Sequence, residues 1–140
     1  MTEKKITICG KEVRMIYCAA TENGYESISG KRIDVFIPTT ETDDDGKERL
    51  IPSTATIGDY MSLALAGIIA AYAKDNQDPP ITANDILYDA TSDERNILIT
   101  SIIELRAEWY GVPKVVTEVL SEEAKKMKHE PGDSDKRKNA

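Results

Sequence analysis

Glu41, Asp43, Asp45 and Gly46 have the clearest chemical spacing in the chain and match the first half of a calcium-binding loop. Oxygens at alternate positions can converge there on one hard cation, and the glycine permits the sharp turn between them. The second half of the pattern fails. Pro52 stands where a bidentate Glu belongs, and Arg49 puts a positive charge inside the loop. The expectation is a solvated acidic turn. Glu104 and Glu108, one helical turn apart, could act as paired carboxylates in proton transfer. With Arg106 close in sequence they read instead as an ordinary solvated helix face.

Nucleophilic catalysis needs a base held against the nucleophile, and the single histidine, His129, lies in a segment expected to have no fixed position. One histidine also suggests no local metal site. No GxGxxG or GxxxxGK[ST] cradle for phosphates is present. Cys9 and Cys18 read as buried free thiols acting as small hydrophobes. A disulfide could join paired strands, but two cysteines make no framework. These readings give no catalytic residue, no cofactor and no metal, so the expected protein is not an enzyme.

The elements that must position these groups begin with Lys5 to Cys9 and Glu12 to Tyr17, two runs rich in Ile, Val, Thr and Tyr. They predict a β-hairpin turning at Gly10 and Lys11, with Gly first as a type II′ turn prefers. Ala19 to Ser29 predicts a short helix stopped by Gly30. Gly24 inside it costs about 1 kcal/mol relative to Ala, so this helix must lean on tertiary packing. Arg32 to Ile37 and Glu48 to Ile51 read as strands closed by Pro38 and Pro52. The acidic segment 39–47 between them either closes a second hairpin, the favoured reading, or forms a mobile loop. Pairing of the two hairpins would give a sheet of three or four antiparallel strands.

The second half is helical. Thr56 with Asp59 forms a capping-box pattern, followed by a run to Ala73 that is apolar on nearly every face. At fewer than the about 20 apolar residues that span a bilayer, and interrupted by Ser62 and Gly67, the run calls for burial by protein. If its own chain covers it only partly, dimers or larger rings should form. Pro79 and Pro80 are expected to close this stretch. Thr82 with Asp85 repeats the cap, with Ile81 and Ile86 spaced as a hydrophobic staple, and Thr91 with Glu94 opens a helix to Tyr110. Leu98, Ile102, Leu105 and Trp109 form its apolar stripe. Val112 to Met127 predicts a weaker amphipathic helix, and from Lys128 on disorder is expected.

The fold class is therefore α+β, an N-terminal antiparallel hairpin or small sheet followed by a mostly helical bundle, one domain over 1–120 with a charged tail at 121–140. The net charge of −7 disfavours binding nucleic acid through phosphate neutralisation. Only the tail leans basic, with six Lys or Arg against five Asp or Glu from Ser121 to Ala140. The start MTEKKITIC lacks a signal peptide's apolar core, which predicts a cytoplasmic location and no membrane association. Trp109 reads chiefly as core, whereas for Tyr110 core and interface stand equal. Ala64, Ala66, Gly67, Ala70 and Ala71 would let another helix approach closely.

The order of these pieces resembles the tail assembly chaperones of long-tailed phages and prophages. The resemblance runs over residues 6 to 110. It rests on Ile6, Thr7, Ile8, Gly10, Lys11 and Glu12, then Glu26 and Gly30, then Asp59, Tyr60, Leu63, Ala64, Ala66, Gly67 and Ile68. The acidic insertion from Thr39 to Lys47 is longer than that pattern. The resemblance implies a non-enzymatic protein of the host cytoplasm, absent from the mature virion, that coats the tape measure protein and recruits tail tube subunits to it. Tyr60, Leu63, Ala64, Gly67, Trp109 and Tyr110 are the candidate partner-binding residues. A structural component such as a head–tail connector subunit is the alternative.

Overall fold

The computed structural model describes residues 1–111; the helix expected over 112–127 and the charged tail lie outside the described residues. Strand β1, Glu3–Ile8, pairs antiparallel with β2, Lys11–Ile16, from Glu3 opposite Ile16 to Ile8 opposite Lys11. The turn is Cys9-Gly10 rather than Gly10-Lys11, and both residues have positive φ, 53° and 75°. That is the type I′ arrangement, whose twist matches the flanking strands. The pairing slides by two residues relative to the expected one. It therefore leaves Ile6, Ile8, Val13 and Met15 on a common face.

A non-glycine residue in the left-handed region costs about 1–2 kcal/mol, so the Cys9 turn needs outside support. Glu94 supplies it by accepting the Cys9 N–H at 2.7 Å while also accepting the Thr91 N–H at 2.9 Å. The Thr91 and Cys9 amides hold this carboxyl below its usual range. Glu94→Gln should lower the melting temperature and speed hydrogen exchange at the Cys9 amide. Unchanged exchange there would remove this account of the turn.

Helix α1, Ala19–Ser29, ends as expected on Gly30 at φ 72°. Buried Thr21 ties it to β2, accepting from the Cys18 N–H and donating to the Ile16 carbonyl, each at 3.1 Å. A Cβ on Gly24 would sit 3.3 Å from the Ala66 Cβ, so the glycine marks where α1 crosses the next long helix. The strand expected over Arg32 to Ile37 is instead a 3-10 turn, Ile33–Phe36. Its three-residue period puts Ile33 and Phe36 on one side. Phe36 lies edge-on between Tyr25 and Tyr60, with ring centroids 4.9 and 5.0 Å away, and the Glu26 carboxylate accepts the Ile33 N–H at 2.9 Å. Aromatic packing against helices has replaced strand pairing.

A second hairpin forms, but its first strand is β3, Thr39–Thr42, inside the expected connection rather than Arg32 to Ile37, and is paired with β4, Glu48–Ile51, at the expected place. It stays a separate two-stranded sheet, so the expected three- or four-stranded sheet is not formed. All four β3 residues are exposed, and the arm has little apolar surface to bury against the body.

Helix α2, Ile57–Ala73, begins with the reciprocal Thr56–Asp59 cap. It ends well before the prolines, where the Tyr72 carbonyl accepts from Asp75 and Gln77 and Asn76 turns left-handed at φ 57°. Arg14 of β2 braces this end through Asp75 at 3.0 Å and by stacking 4.4 Å from the centre of the Tyr72 ring. The Thr82–Asp85 cap forms, and Ile81 and Ile86 are both buried. The helix it was to open is one wide turn, Asp85–Asp89, closed by the Ala90 N–H on the Asp85 carbonyl at 3.0 Å. Helix α3, Ser92–Trp109, then runs to Tyr110 and Gly111.

Among the described residues the fold is α+β, with the first hairpin and three α-helices around a main core and a small second apolar cluster at Ile99 and Ile103. Val13, Met15 and Tyr17 meet Leu63 and Ile68 of α2 and Leu98, Ile102 and Leu105 of α3 in that core. β1 lies antiparallel along α3. Thr2 hydrogen-bonds Glu108, Lys4 pairs with Glu104, and Cys9 reaches Glu94, in that order.

Candidate partner-binding site

Three elements converge where α3 ends. Tyr17, buried just past β2, donates its hydroxyl to Glu22 in the first turn of α1 at 2.7 Å. Tyr110 donates to the same Glu22 carboxylate oxygen. The Tyr17 ring lies 6.4 Å from that of Trp109 and 6.2 Å from that of Tyr110, both tilted. The Arg106 guanidinium sits 5.2 Å from the centre of the Tyr110 ring and 5.7 Å from that of Phe36. Its Nε is buried with no hydrogen-bond partner among the described residues.

Burial, followed by the bond to Glu22, raises the pKa of both the Tyr17 and Tyr110 phenols. They remain protonated donors at neutral pH. One carboxylate thus orients two aromatic rings, and a third, Trp109, leans on the buried one. Trp109 and Tyr110 keep 48% and 53% of their surface in solvent. Beside them opens a cleft of about 300 Å³ lined by Met1, Thr2, Tyr17, Leu105, Glu108 and Trp109.

The six expected partner-binding residues separate sharply. Leu63, Ala64 and Gly67 are buried by the protein's own chain and offer no surface to a partner. Gly67 faces the Ile16 carbonyl, Ile102 and Met15, so the close approach that the small residues permit is intramolecular. Tyr60 is half-buried against Phe36. Only Trp109 and Tyr110 stand open, and the core position expected for Trp109 is corrected to a half-exposed one. Helix α2 leaves Ile57 and Ile69 as its exposed large apolar residues, so most of its cover comes from home.

The chemical candidates are dispersed. Among the described residues no group of three or more His, Cys, Asp or Glu is placed to hold a metal ion. Asp43 turns one oxygen inward to accept from the Asp45 and Lys47 amides, both at 2.9 Å, which makes the acidic tip a self-contained turn. Glu104 and Glu108 clamp β1, and His129 lies outside the described residues. Cys9 and Cys18 are free and only partly buried, a correction to the expected full burial. They stand at opposite ends of the first hairpin, about 20 Å apart at strand spacing, far beyond disulfide reach. Partial burial, then Glu94, Asp85 and Asp89, raises the Cys9 thiol pKa, which suppresses its thiolate.

Tyr17, Glu22 and Arg106 were not legible as site members, because the contact that unites them spans most of the chain. Leu87 and Tyr88 were missed too. Their signal was the nine-residue spacing of the caps at Thr82 and Thr91, which leaves too little helix to turn three consecutive large apolar residues inward.

Compared with known proteins, the chain matches no family model, no curated protein and no solved structure. Among the described residues no helix is long and apolar enough to cross a membrane.

Proposed function

We propose that this protein is a non-enzymatic assembly chaperone of the long-tailed phage type, which binds the tape measure protein in the host cytoplasm, recruits tail tube subunits and leaves the finished particle. The observation that carries the reading is the half-exposed Trp109–Tyr110 pair, held by Tyr17 and Glu22 beside Arg106. Trp, Tyr and Arg are the residues enriched at interface hot spots, and a rigid seat reduces the ordering cost of binding. The order of hairpin, short helix and capped apolar helix supports the same reading. The docking surface is the end of α3 rather than the buried face of α2.

Co-expression with the tape measure protein should give a soluble complex. The W109A/Y110A double variant should retain the native melting temperature within a few degrees and weaken that complex at least about tenfold, as for residues that dominate an interface. A tape measure protein that stays insoluble, with nothing copurifying with the native chain, would overturn the proposal.

A further inference from the structure

Helix α3 carries a second stripe beside the one that enters the main core. Asn96, Ile99, Ile103, Arg106 and Tyr110 recur at three- and four-residue steps and so share one side of the helix. Ile99 and Ile103 are only 2% and 6% exposed, and Ala107, one turn beyond Ile103, only 5%. The partly buried apolar side chains packed against the two isoleucines are Tyr60 and Met61 of α2, thin cover for a pair so deeply buried. The polar atoms of the stripe lack cover of their own kind. Among the described residues the two buried side-chain polar atoms without a hydrogen-bond partner are Asn96 Oδ1 and Arg106 Nε, and both belong to this stripe. No carboxylate among the described residues pairs with Arg106. Buried polar atoms are nearly always satisfied and buried charges nearly always paired, so this side of α3 calls for an occupant that is apolar and brings a carboxylate.

The chain itself carries a matching segment. Gly111 follows α3 in the left-handed region, at φ 73°, which turns the chain off the helix axis, and Pro113 bars continuation of the same helix. Beyond it Val112, Val116, Val119, Glu123 and Met127 fall at helical spacing, with Glu123 the single charge in that line. We propose that the segment from Val112 to Met127 packs antiparallel to α3 as a helix over Ile99, Ile103 and Ala107, with Glu123 paired to Arg106.

The two stripes correspond in charge and in register. Each contains one charged residue among apolar ones, and the signs are opposite. Antiparallel helices joined by a short connection bring residues equally far from the turn level with each other. Counted from the turn after Gly111, Leu120 comes beside Ile103, and Glu123 comes about 7 Å along the axis from Arg106. Helical side chains lean toward the N-terminus of their own helix, so in an antiparallel pair Arg106 and Glu123 lean toward one another and close that offset. Lys125, Lys126 and Lys128 bring ammonium donors to the level of Asn96 Oδ1. The short connection also holds the segment at an effective concentration of order mM, so it needs far less buried area than a separate chain would.

No client takes part, so the contact stands or falls apart from the chaperone reading. In the full chain with labelled Ile, Leu and Val methyl groups, NMR should show nuclear Overhauser contacts from Ile103 to Leu120. A mixture of labelled and unlabelled chains tells the source of those contacts. Contacts within one chain support the proposal, whereas contacts only between chains would assign the face to a second copy and overturn it. Arg106→Glu and Glu123→Arg should each lower the urea midpoint, and the double variant should recover at least about half of the summed loss, as directly interacting charges do. Where a reversed charge prevents folding, Arg106→Gln and Glu123→Gln take its place, and their combined loss should be less than additive. Absence of the Ile103–Leu120 contact in the folded full chain, or losses that simply add, would overturn the proposal.

Discussion

Gly67→Ala is expected to destabilise the protein by about 1–3 kcal/mol, the usual cost of forcing an extra methyl into a filled core. The added Cβ would lie 2.8 Å from the Ile16 carbonyl oxygen, 2.9 Å from Ile102 Cδ1 and 3.0 Å from Met15 Cγ. Side-chain ends can swing away, but the carbonyl belongs to β2 and cannot. It also accepts the Thr21 hydroxyl, so moving it would disturb the start of α1. Helix propensity pulls the other way, favouring Ala over Gly by about 1 kcal/mol. The backbone contact decides the sign. Gly24→Ala provides the control, because its nearest obstacle, the Ala66 Cβ, is farther away, at 3.3 Å against 2.8 Å for the Ile16 carbonyl at Gly67. There the propensity gain should nearly offset the crowding. Urea denaturation of both variants separates the two cases. Equal stability of Gly67→Ala and the native chain would mean that α2 does not approach the hairpin as closely as described.

Local grammar was readable wherever it required only neighbours in sequence. All three Thr-led caps formed between Thr56 and Asp59, Thr82 and Asp85, and Thr91 and Glu94, because each closes within one turn. Gly30 ended α1 for the same reason. Failure began where a distant group changed a local choice. RIDVFI alternates like a strand, yet Tyr25 and Tyr60 capture Phe36 and turn the segment into a 3-10 turn. The hairpin turn moved onto Cys9 because Glu94 stabilises the strained amide from far along the chain.

The site was legible only in part, for a related reason. Trp109 and Tyr110 could be singled out by residue type, but their exposure depends on how the first hairpin and α1 meet the end of α3. The all-round apolarity of α2 pointed to a partner because sequence does not reveal how many elements of the same chain will surround a helix. Here α1, the first hairpin and α3 all pack on it and cover most of its apolar surface.

Asp59→Ala should show the largest loss of stability, because this one carboxylate closes the α2 cap and joins α1 to α2. Only 4% exposed, it accepts from the Thr56 N–H at 2.9 Å, the Tyr25 hydroxyl at 3.0 Å and Lys31 Nζ at 3.1 Å. Loss of the cap costs about 1 kcal/mol, and the stranded hydroxyl of buried Tyr25 adds about 1–3 kcal/mol. Lys31 is half in water and adds little. Burial pushes the Asp59 carboxyl pKa up, but the bonds from Thr56, Lys31 and Tyr25 outweigh it and leave the value below the ordinary one. A depressed folded-state pKa stabilises fully above the unfolded value, near pH 3.9, and the contribution disappears as pH falls through the folded value. Asp59→Asn keeps the shape but cannot titrate, so it should destabilise the protein near neutrality and converge on the native chain in acid. Urea midpoints measured from neutrality down to about pH 3 test this linkage. A constant gap between the two proteins over that range would show that the carboxylate acts through shape and hydrogen bonding alone, with no charge linking α1 to α2.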